Sequence, residues 1–329
     1  MKVKFYSSRP YEESFLVASN AGRHEIIFTD KPLNEETAHE SCGAEAVSVF
    51  VNDTVNQKTI DELAQAKVRY ISVRATGYDN VDYKYAHSKG IHVANVPEYS
   101  PYAIAEHTIS LILALNRKLI QAYRNFLNHD FTLNALIGFD MNGKTVGIVG
   151  TGRIGSIVAK ILHGFGCKIL AYDIKPNDYL KTKYNVDYIE LDELYGRADI
   201  VVLLTPLNEQ TRYMINKQSI AKMKDGVMLI NCSRGAVVNT EDLIKALMSG
   251  KIGSFGADVY EREKGLYFYD YSNKILCDET FMKLTSFKNV LLTPHQAFLT
   301  DTALKNIADV TFYNINCWAQ GLNSENELI

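Results

Sequence analysis

The chain has 329 residues, of which 47% are hydrophobic and 22% charged, and its formal net charge is −3. This composition is typical of a folded chain with enough residues for two domains, and it excludes a fibrous or disordered protein. The small net charge offers no electrostatic basis for binding nucleic acid or an anionic membrane surface, because both attract concentrated Lys and Arg.

Short β-rich segments alternate with helical patterns in the first part of the chain. The predicted strands cover residues 3–6, 25–28, 46–51, 70–73 and 92–96. The predicted helices between them cover residues 11–21, 35–41, 59–67 and 83–89. This alternation predicts a parallel sheet with crossover helices.

A long helical pattern at residues 103–126 leads into the second part of the chain, where the alternation resumes. The pattern is apolar on most faces, so we expect it to be buried on more than one side and to form a subunit contact. The later predicted strands cover residues 168–172, 199–204, 227–231, 253–258 and 290–293, and the last helix covers 302–318. The fold class is therefore α/β, with two doubly wound parallel-sheet domains of Rossmann-like or flavodoxin-like type.

Residues 146–173 combine a strand, a glycine turn, a helix and an acidic strand end. Gly150 allows the tight turn, Gly152 lets the backbone approach a pyrophosphate at the helix N-terminus, and Gly155 lets the helix pack closely on the strand. Asp173 comes eighteen residues after Gly155. Its carboxylate would bind ribose hydroxyls and repel a 2′-phosphate, which predicts NAD as the cofactor in preference to NADP.

Three later strands are followed by side chains suited to the chemistry of keto acids. Arg234, Glu263 and His295 each follow a predicted strand, and ligands bind at the carboxyl ends of the strands in such sheets. Arg has a planar fork of donors that matches a carboxylate, and His transfers protons near neutral pH. A Glu bound to that His would fix its tautomer and favour the imidazolium form. Glu261 is an alternative partner for the His, although we favour Glu263. We expect the other histidines, including His107, to be bound by backbone groups.

The chain resembles the D-isomer-specific 2-hydroxyacid dehydrogenases over essentially its whole length. The matching motifs are GTGRIG followed by Asp173, then NCSRGAVV, GADVYERE and TPHQAF, with RATGYDNVD and PEYSPYAIAEHT before them. Within the family, residues 265–284 and 295–300 and the terminal NELI look like the fermentative D-lactate dehydrogenase branch. This branch reduces pyruvate with NADH.

The resemblance implies a role for each matching residue. Arg234 would bind the substrate carboxylate, His295 would exchange the proton, and Glu263 would tune His295. Further substrate contacts would come from Phe50, Ala75, Thr76, Gly77, Tyr99 and Phe298. The cofactor would contact Gly150, Gly152, Arg153, Ile154, Gly155, Asp173, Thr205, Pro206, Thr211, Cys232, Ser233 and Asp258. Cys232 is expected to be a small buried residue beside the cofactor and not a nucleophile, because hydride transfer needs none.

The resemblance also implies the domain organisation and the assembly. A discontinuous substrate domain would comprise residues 1–99 and 299–329, an NAD-binding Rossmann domain would comprise 100–298, and a cleft between them would close over substrate. We expect a homodimer or a dimer of dimers. Two other functions stay open: a dehydrogenase of larger 2-keto acids, of the hydroxyisocaproate type, and an NADH-sensing protein of the corepressor kind.

The cysteines and apolar runs bear on location and partners. Five widely spaced cysteines form no CxxC pair, so we expect reduced thiols in a cytoplasmic protein and no metal site. The longest apolar runs fall short of the about 20 residues that cross a bilayer, and residues 1–8 lack the apolar core of a signal peptide. We expect a small-molecule substrate as the partner, with neither a nucleic acid nor a membrane.

Overall fold

The structure, a computed structural model, describes all 329 residues. The chain divides into two units, each with its own sheet. Unit 1 comprises Met1–Ser100 and Leu299–Ile329, and unit 2 comprises Pro101–Phe298. Ser100 therefore lies in unit 1, whereas the predicted boundary places residue 100 in the second domain.

Twelve strands and twelve α-helices make up the two units. The strands are β1 (Lys2–Phe5), β2 (Glu25–Phe28), β3 (Ala46–Val49), β4 (Tyr70–Val73), β5 (His92–Ala94), β6 (Thr145–Val149), β7 (Lys168–Tyr172), β8 (Asp187–Tyr188), β9 (Ile200–Leu203), β10 (Val227–Asn231), β11 (Ile252–Ala257) and β12 (Val290–Leu292). The helices are α1 (Pro10–Asn20), α2 (Gln57–Gln65), α3 (Tyr83–Ser88), α4 (Pro101–Asn116), α5 (Leu119–Leu127), α6 (Arg153–Gly164), α7 (Asp178–Tyr184), α8 (Leu191–Arg197), α9 (Lys217–Lys222), α10 (Thr240–Ser249), α11 (Glu279–Thr285) and α12 (Asp301–Ala319). None of the helices is both long and apolar enough to cross a membrane.

The sheet of unit 1 is fully parallel, with strand order β2-β1-β3-β4-β5. This is the flavodoxin-like order of a doubly wound sheet. Every residue of β3 and β4 is buried, as expected of central parallel strands that are covered on both faces. The last helix, α12, completes this unit by packing Phe312 and Trp318 into a core that includes Val3 and Phe5.

The sheet of unit 2 has seven parallel strands in the order β8-β7-β6-β9-β10-β11-β12. Numbered within the unit, this is the Rossmann order 3-2-1-4-5-6 with one further strand at the edge. The predicted fold class is confirmed. The strand order reverses between β6 and β9, and the crevice for a dinucleotide lies beyond the carboxyl ends of the strands at such a point.

The apolar pattern at residues 103–126 is not the single helix that we expected. It breaks between α4 and α5 at Lys118, which adopts a left-handed conformation with φ of +53°. Asn116 holds this break, because its side-chain amide exchanges two hydrogen bonds with the backbone of Phe139, at 2.7 and 2.8 Å. α4 is buried on several faces, whereas α5 buries no residue. The expectation of burial is therefore right for α4 and wrong for α5.

Two shorter elements also differ from the prediction. Residues 35–41 form no α-helix but only the 3₁₀ turn Ala38–Ser41, because Asn34 and Thr37 cap each other in a local turn. The two-residue strand β8 was not predicted, since two residues carry no alternating pattern.

Candidate active site

The chain turns from β6 into α6 through the three glycines of the GTGRIG motif. Gly150 has φ of +97°, and a Cβ there would lie 2.8 Å from the carbonyl oxygen of Leu204. A Cβ at Gly155 would overlap the carbonyl oxygen of Gly150, whereas a Cβ at Gly152 would meet no atom of the chain within 4 Å. The fold therefore requires glycine at 150 and 155. The space beside Gly152 is open, as a pyrophosphate over the N-terminus of α6 would need.

This difference between the glycines predicts that one added methyl group weakens cofactor binding at position 152 and lowers stability at position 155. We expect Gly152→Ala to fold like the wild type but to bind NADH about tenfold more weakly, a change of about 1.4 kcal/mol. Gly155→Ala should lower the free energy of unfolding by about 1–3 kcal/mol through overpacking. NADH fluorescence titration and urea denaturation measure the two effects. A Gly152→Ala protein with unchanged NADH affinity would place the pyrophosphate elsewhere.

Asp173 follows β7, and its carboxylate is held in a fixed orientation. Its oxygens accept hydrogen bonds from the backbone N–H groups of Thr151, at 2.6 Å, and Lys175, at 2.8 Å. The Tyr188 hydroxyl donates to the Thr151 hydroxyl at 2.8 Å, which in turn lies 3.2 Å from Asp173. A carboxylate oxygen can accept two hydrogen bonds, and Asp173 Oδ1 accepts only the one from Lys175, so capacity remains for a ribose hydroxyl. Sequence reasoning missed Thr151 and Tyr188, because no motif marks them.

Removing the Asp173 carboxylate should relax cofactor selectivity. We expect Asp173→Ala to lower the ratio of kcat/KM for NADH over NADPH by about 10- to 100-fold, since the repulsion of a 2′-phosphate and the ribose contacts are both lost. Asp178→Ala is the matched control, because Asp178 is an exposed acid at the start of α7. A selectivity ratio that does not change in Asp173→Ala means that the ribose contact lies elsewhere.

The loop after β9 contains the three residues expected on the adenine side of the cofactor. The Thr211 hydroxyl donates to the carbonyl oxygen of Pro206 at 2.6 Å and accepts from the backbone N–H of Asn208 at 2.9 Å. The Thr205 hydroxyl lies 3.9 Å from the sulfur of Met214. In the structure Thr211 therefore shapes the loop that carries Thr205 and Pro206.

The turn after β10 carries Cys232, Ser233 and Arg234. The side chain of Asn231 organises it, since its oxygen accepts from the Ser233 backbone and hydroxyl and its nitrogen donates to the Arg234 carbonyl at 3.0 Å. Burial raises the pKa of the Cys232 thiol to about 12, so this thiol is protonated at neutral pH. The Arg234 guanidinium donates to the Ser233 carbonyl at 3.0 Å. The next residue must be a glycine, because a Cβ at Gly235 would overlap the backbone of Tyr260.

Asp258, which follows β11, binds the loop that contains His295. Its carboxylate accepts from the Thr293 hydroxyl at 2.5 Å and from the backbone N–H groups of Gln296 and Ala297 at 2.8 Å. The Asp258 carbonyl accepts from the His295 N–H, also at 2.8 Å. Burial raises the pKa of the Asp258 carboxyl, against the effect of these hydrogen bonds. In the structure Asp258 thus positions the His295 loop.

His107 on α4 joins this cluster. Its Nε2 lies 2.9 Å from the Thr293 hydroxyl and 3.5 Å from the Asp258 carboxylate. The expectation that His107 is bound by backbone groups is wrong, because its partners are side chains. Residues 107 and 293 are 186 positions apart, so no local pattern reveals this contact.

His295 and Glu263 form a close pair. His295 Nδ1 lies 2.8 Å from Glu263 Oε1, and Glu263 Oε2 accepts from the Tyr260 N–H at 2.9 Å. Glu261 instead accepts from the Tyr213 hydroxyl at 2.6 Å and from the Thr240 N–H at 3.1 Å. The pairing leaves His295 Nε2 as the ring atom available for proton transfer.

The backbone of His295 is itself unusual. Its φ of +55° lies in the left-handed region, which costs a non-glycine residue about 1 kcal/mol. Bonds from Asp258 on one side and Glu263 on the other hold it there. The centroid of the Phe268 ring lies 5.9 Å from the centroid of the imidazole. Phe268 also has a positive φ. The orientation of the His295 imidazole is therefore set by contacts with Asp258, Glu263 and Phe268.

In unit 1 the expected substrate residues lie on two turns and on the segment after β5. Phe50 is 6% exposed and Ala75 7% exposed, while Thr76 and Gly77 are more open. The backbone N–H groups of Thr76 and Gly77 donate to no acceptor in the chain. The Tyr99 carbonyl accepts from Asn306 of α12 at 2.5 Å. Phe298, by contrast, belongs to unit 2, where it is buried.

Comparison with known proteins identifies the family. The model of the D-isomer specific 2-hydroxyacid dehydrogenase, NAD binding domain, matches residues 109–297. D-lactate dehydrogenase kk1H from Curvularia clavata is 44% identical over 100% of this chain and 95% of its own. The apo-structure of D-lactate dehydrogenase from Escherichia coli superposes with a TM-score of 0.90, at 38% identity and full coverage of both chains.

A third comparison concerns the cofactor. The D-lactate dehydrogenase from Aquifex aeolicus, solved in complex with NAD and lactic acid, has a TM-score of 0.87 at 33% identity and covers 97% of this chain and 96% of its own. The open space at Gly152 and the oriented Asp173 carboxylate fit the same cofactor. The chain belongs to the D-isomer-specific 2-hydroxyacid dehydrogenases and is an oxidoreductase with an NAD-binding domain.

Proposed function

We propose that this protein is a D-lactate dehydrogenase that reduces pyruvate to D-lactate with NADH, reversibly. The single observation that carries the proposal is the His295–Glu263 pair at 2.8 Å, at the same sheet edge as Arg234. A proton donor and a carboxylate-binding cation are the two groups that reduction of a 2-keto acid requires of the protein. The relatives named D-lactate dehydrogenase support D-lactate as the product, and pyruvate is the 2-keto acid that corresponds to it.

The residues of unit 2 would bind the substrate carboxylate and transfer the proton. Arg234 binds the substrate carboxylate through two parallel hydrogen bonds and stabilises the negative charge that develops on the keto oxygen. His295 donates the proton to that oxygen from Nε2, and Glu263 holds the ring in the required tautomer. Bound NADH supplies the hydride.

Residues of both turns in unit 1 would complete substrate binding. The N–H groups at residues 75–77 would bind the carboxylate, and Phe50, Tyr99 and Phe298 would limit the space for the methyl group. This fits the absence of an internal partner for the N–H groups of Thr76 and Gly77. The cofactor would be held by the glycine turn, Asp173 and the loop of Thr205, Pro206 and Thr211. Cys232, Ser233 and Asp258 would lie on the nicotinamide side. On this basis unit 1 is the substrate domain and unit 2 the cofactor domain.

The test is NADH oxidation by the purified protein with pyruvate, 2-ketobutyrate, 2-ketoisocaproate, hydroxypyruvate and phenylpyruvate, with the chirality of the product assigned. The highest kcat/KM for pyruvate and a D-lactate product support the proposal. A preference for a branched keto acid keeps the mechanism and changes the substrate. NADH binding without turnover of any keto acid points to the sensor.

We further infer that the protein is a homodimer, or a dimer of dimers, in a cytoplasmic setting. Eight apolar side chains on α5 and the loop after it are between 46 and 86% exposed: Leu119, Ile120, Tyr123, Phe126, Leu127, Phe131, Leu133 and Ile137. An exposed apolar patch of this size on a helix and the adjoining loop is typical of a protein interface, and a second copy would bury it. All five cysteines are free, which fits a reducing compartment.

The dimer proposal predicts that charge on this patch separates the subunits. We expect Phe126→Glu combined with Leu133→Glu to halve the mass in light scattering after size exclusion, or at least to raise the dimer dissociation constant about 100-fold, because two apolar contacts become buried charges. Met248→Glu is the control, since Met248 on α10 is 65% exposed and outside the patch. A wild-type protein that is monomeric at all concentrations contradicts the inference.

A further inference from the structure

Unit 1 contains a run of buried polar side chains that connects the turn at residues 75–77 to the C-terminal tail, residues 322–329. Asn95, which follows β5, is 6% exposed. Its Nδ2 donates to the carbonyl oxygen of Thr76 at 2.8 Å. The Thr76 hydroxyl donates to the Val96 carbonyl at 2.9 Å, and the Val96 N–H donates to the Ala75 carbonyl at 3.2 Å. Three hydrogen bonds thus join the turn to the end of β5.

The other end of this run is Asn314 of α12, which is fully buried. Its Nδ2 donates to the carbonyl oxygen of Asn95 at 3.0 Å. Its Oδ1 accepts from the Ser324 hydroxyl at 2.6 Å and from the Asn326 side chain at 2.9 Å. Asn314 therefore links Asn95 to the tail, and both its polar atoms are engaged.

The tail is bound along β5, which is the edge strand of this sheet. The Leu328 N–H donates to the Val93 carbonyl at 2.8 Å, and the Asn95 N–H donates to the Asn326 carbonyl at 3.3 Å. Glu327 forms an antiparallel bridge with Ala94, and its carboxylate accepts from the indole of Trp318 at 2.8 Å. The tail is thus an ordered part of the unit and covers the exposed strand edge.

The bond from Asn95 to Thr76 has a consequence for Gly77. The Thr76 carbonyl and the Gly77 N–H belong to one planar trans peptide group, so they point in opposite directions. Fixing the carbonyl fixes the direction of that N–H, and donation to the carbonyl also polarises the N–H into a stronger donor. On the other side of the turn, Arg74 is fully buried and bound to Glu12 at 3.0 and 3.1 Å. The turn is therefore held from both sides.

We propose that Asn95 and Asn314 are positioning residues for the substrate carboxylate. They orient the Gly77 N–H toward the carboxylate, and the tail supports Asn314. The inference rests on the proposed function, because it assigns the carboxylate to the turn at 75–77. Neither residue contacts substrate; each acts by orienting one peptide group. Since that donor would bind the carboxylate equally in the ground state and the transition state, its loss should raise KM more than it lowers kcat.

The test compares three variants of the full-length protein. Asn95→Ala and Asn314→Ala should raise KM for pyruvate about fivefold to tenfold, the loss expected for one hydrogen bond, with KM for NADH unchanged and kcat within about twofold. Asn316→Ala is the matched control. Asn316 lies on the same helix and binds His24 at 2.9 Å, but it has no connection to the turn. It should leave KM for pyruvate at the wild-type value.

The possible results distinguish failure of this inference from failure of the proposed function. An unchanged KM for pyruvate in Asn95→Ala, or an equal rise in Asn316→Ala, overturns the inference and leaves the proposed function in place. A wild-type protein that reduces no keto acid overturns both. If an asparagine variant does not fold, Ser324→Ala, which removes one hydrogen bond to Asn314, should still raise KM for pyruvate about twofold to threefold; no rise in that variant also overturns the inference.

Discussion

We expect His295→Gln to lower kcat for pyruvate reduction by at least about 100-fold, because the protein then lacks the acid that protonates the keto oxygen. Glutamine has a similar reach and still accepts and donates hydrogen bonds, so the fold and the Glu263 contact should largely persist. NADH affinity should stay within about twofold of the wild type in a fluorescence titration, since acid–base catalysis and cofactor binding are separate functions.

The control for this experiment is His163→Gln. His163 is exposed near the end of α6 and lies against Tyr184, so its loss should not alter kcat. If His295→Gln loses NADH affinity in proportion to kcat, the residue supports the cofactor and is not the acid. If kcat is retained, the proton comes from another group.

We expect Arg234→Lys to lower kcat/KM for pyruvate by about 100-fold, chiefly by raising KM. A guanidinium presents two parallel donors to a carboxylate, whereas an ammonium is a point charge at a different distance, and hydrogen bonds to charged groups are worth about 1.5–3 kcal/mol. The turn that carries Arg234 should remain intact, because Asn231 and Gly235 organise it through contacts that do not involve the guanidinium.

Steady-state kinetics with pyruvate at saturating NADH measure this effect. Arg197→Lys is the control, since Arg197 is a half-exposed residue paired with Glu193 on α8. An Arg234→Lys protein with wild-type KM and kcat would contradict the assignment of the carboxylate to Arg234. The companion variant Arg234→Ala should lose at least as much activity, because it retains no charge.

The contacts around Asp258 show how a single buried carboxylate can serve the site indirectly. It accepts three hydrogen bonds from the loop that carries His295, and His107 approaches it from α4. The left-handed φ of His295 itself is held by the hydrogen bond from its N–H to the Asp258 carbonyl and by its contact with Glu263. The Asp258 side chain therefore helps to orient the imidazole by holding its loop, while Glu263 contacts the ring directly.

Local patterns predicted much of the molecule. The alternation of apolar segments predicted the α/β fold, and the order of glycines, helix and Asp173 predicted the NAD-binding unit. These inferences succeed because secondary structure and a glycine turn depend on residues close together in the chain. The same reasoning failed at residues 103–126, because the apolar pattern continues through the break at Lys118 and does not distinguish a buried helix face from an exposed one.

By itself the sequence determined the fold class, the NAD-binding domain and the identity of the polar residues that follow the strands. Only the tertiary structure decided which polar side chains are in contact. Glu263 and not Glu261 contacts His295. His107 contacts Thr293, and Asn314 binds Asn95 across 219 positions. The physical reason is that a hydrogen bond needs a donor and an acceptor within about 3 Å in a suitable direction. Such proximity arises from packing of distant segments, and spacing along the chain does not encode it.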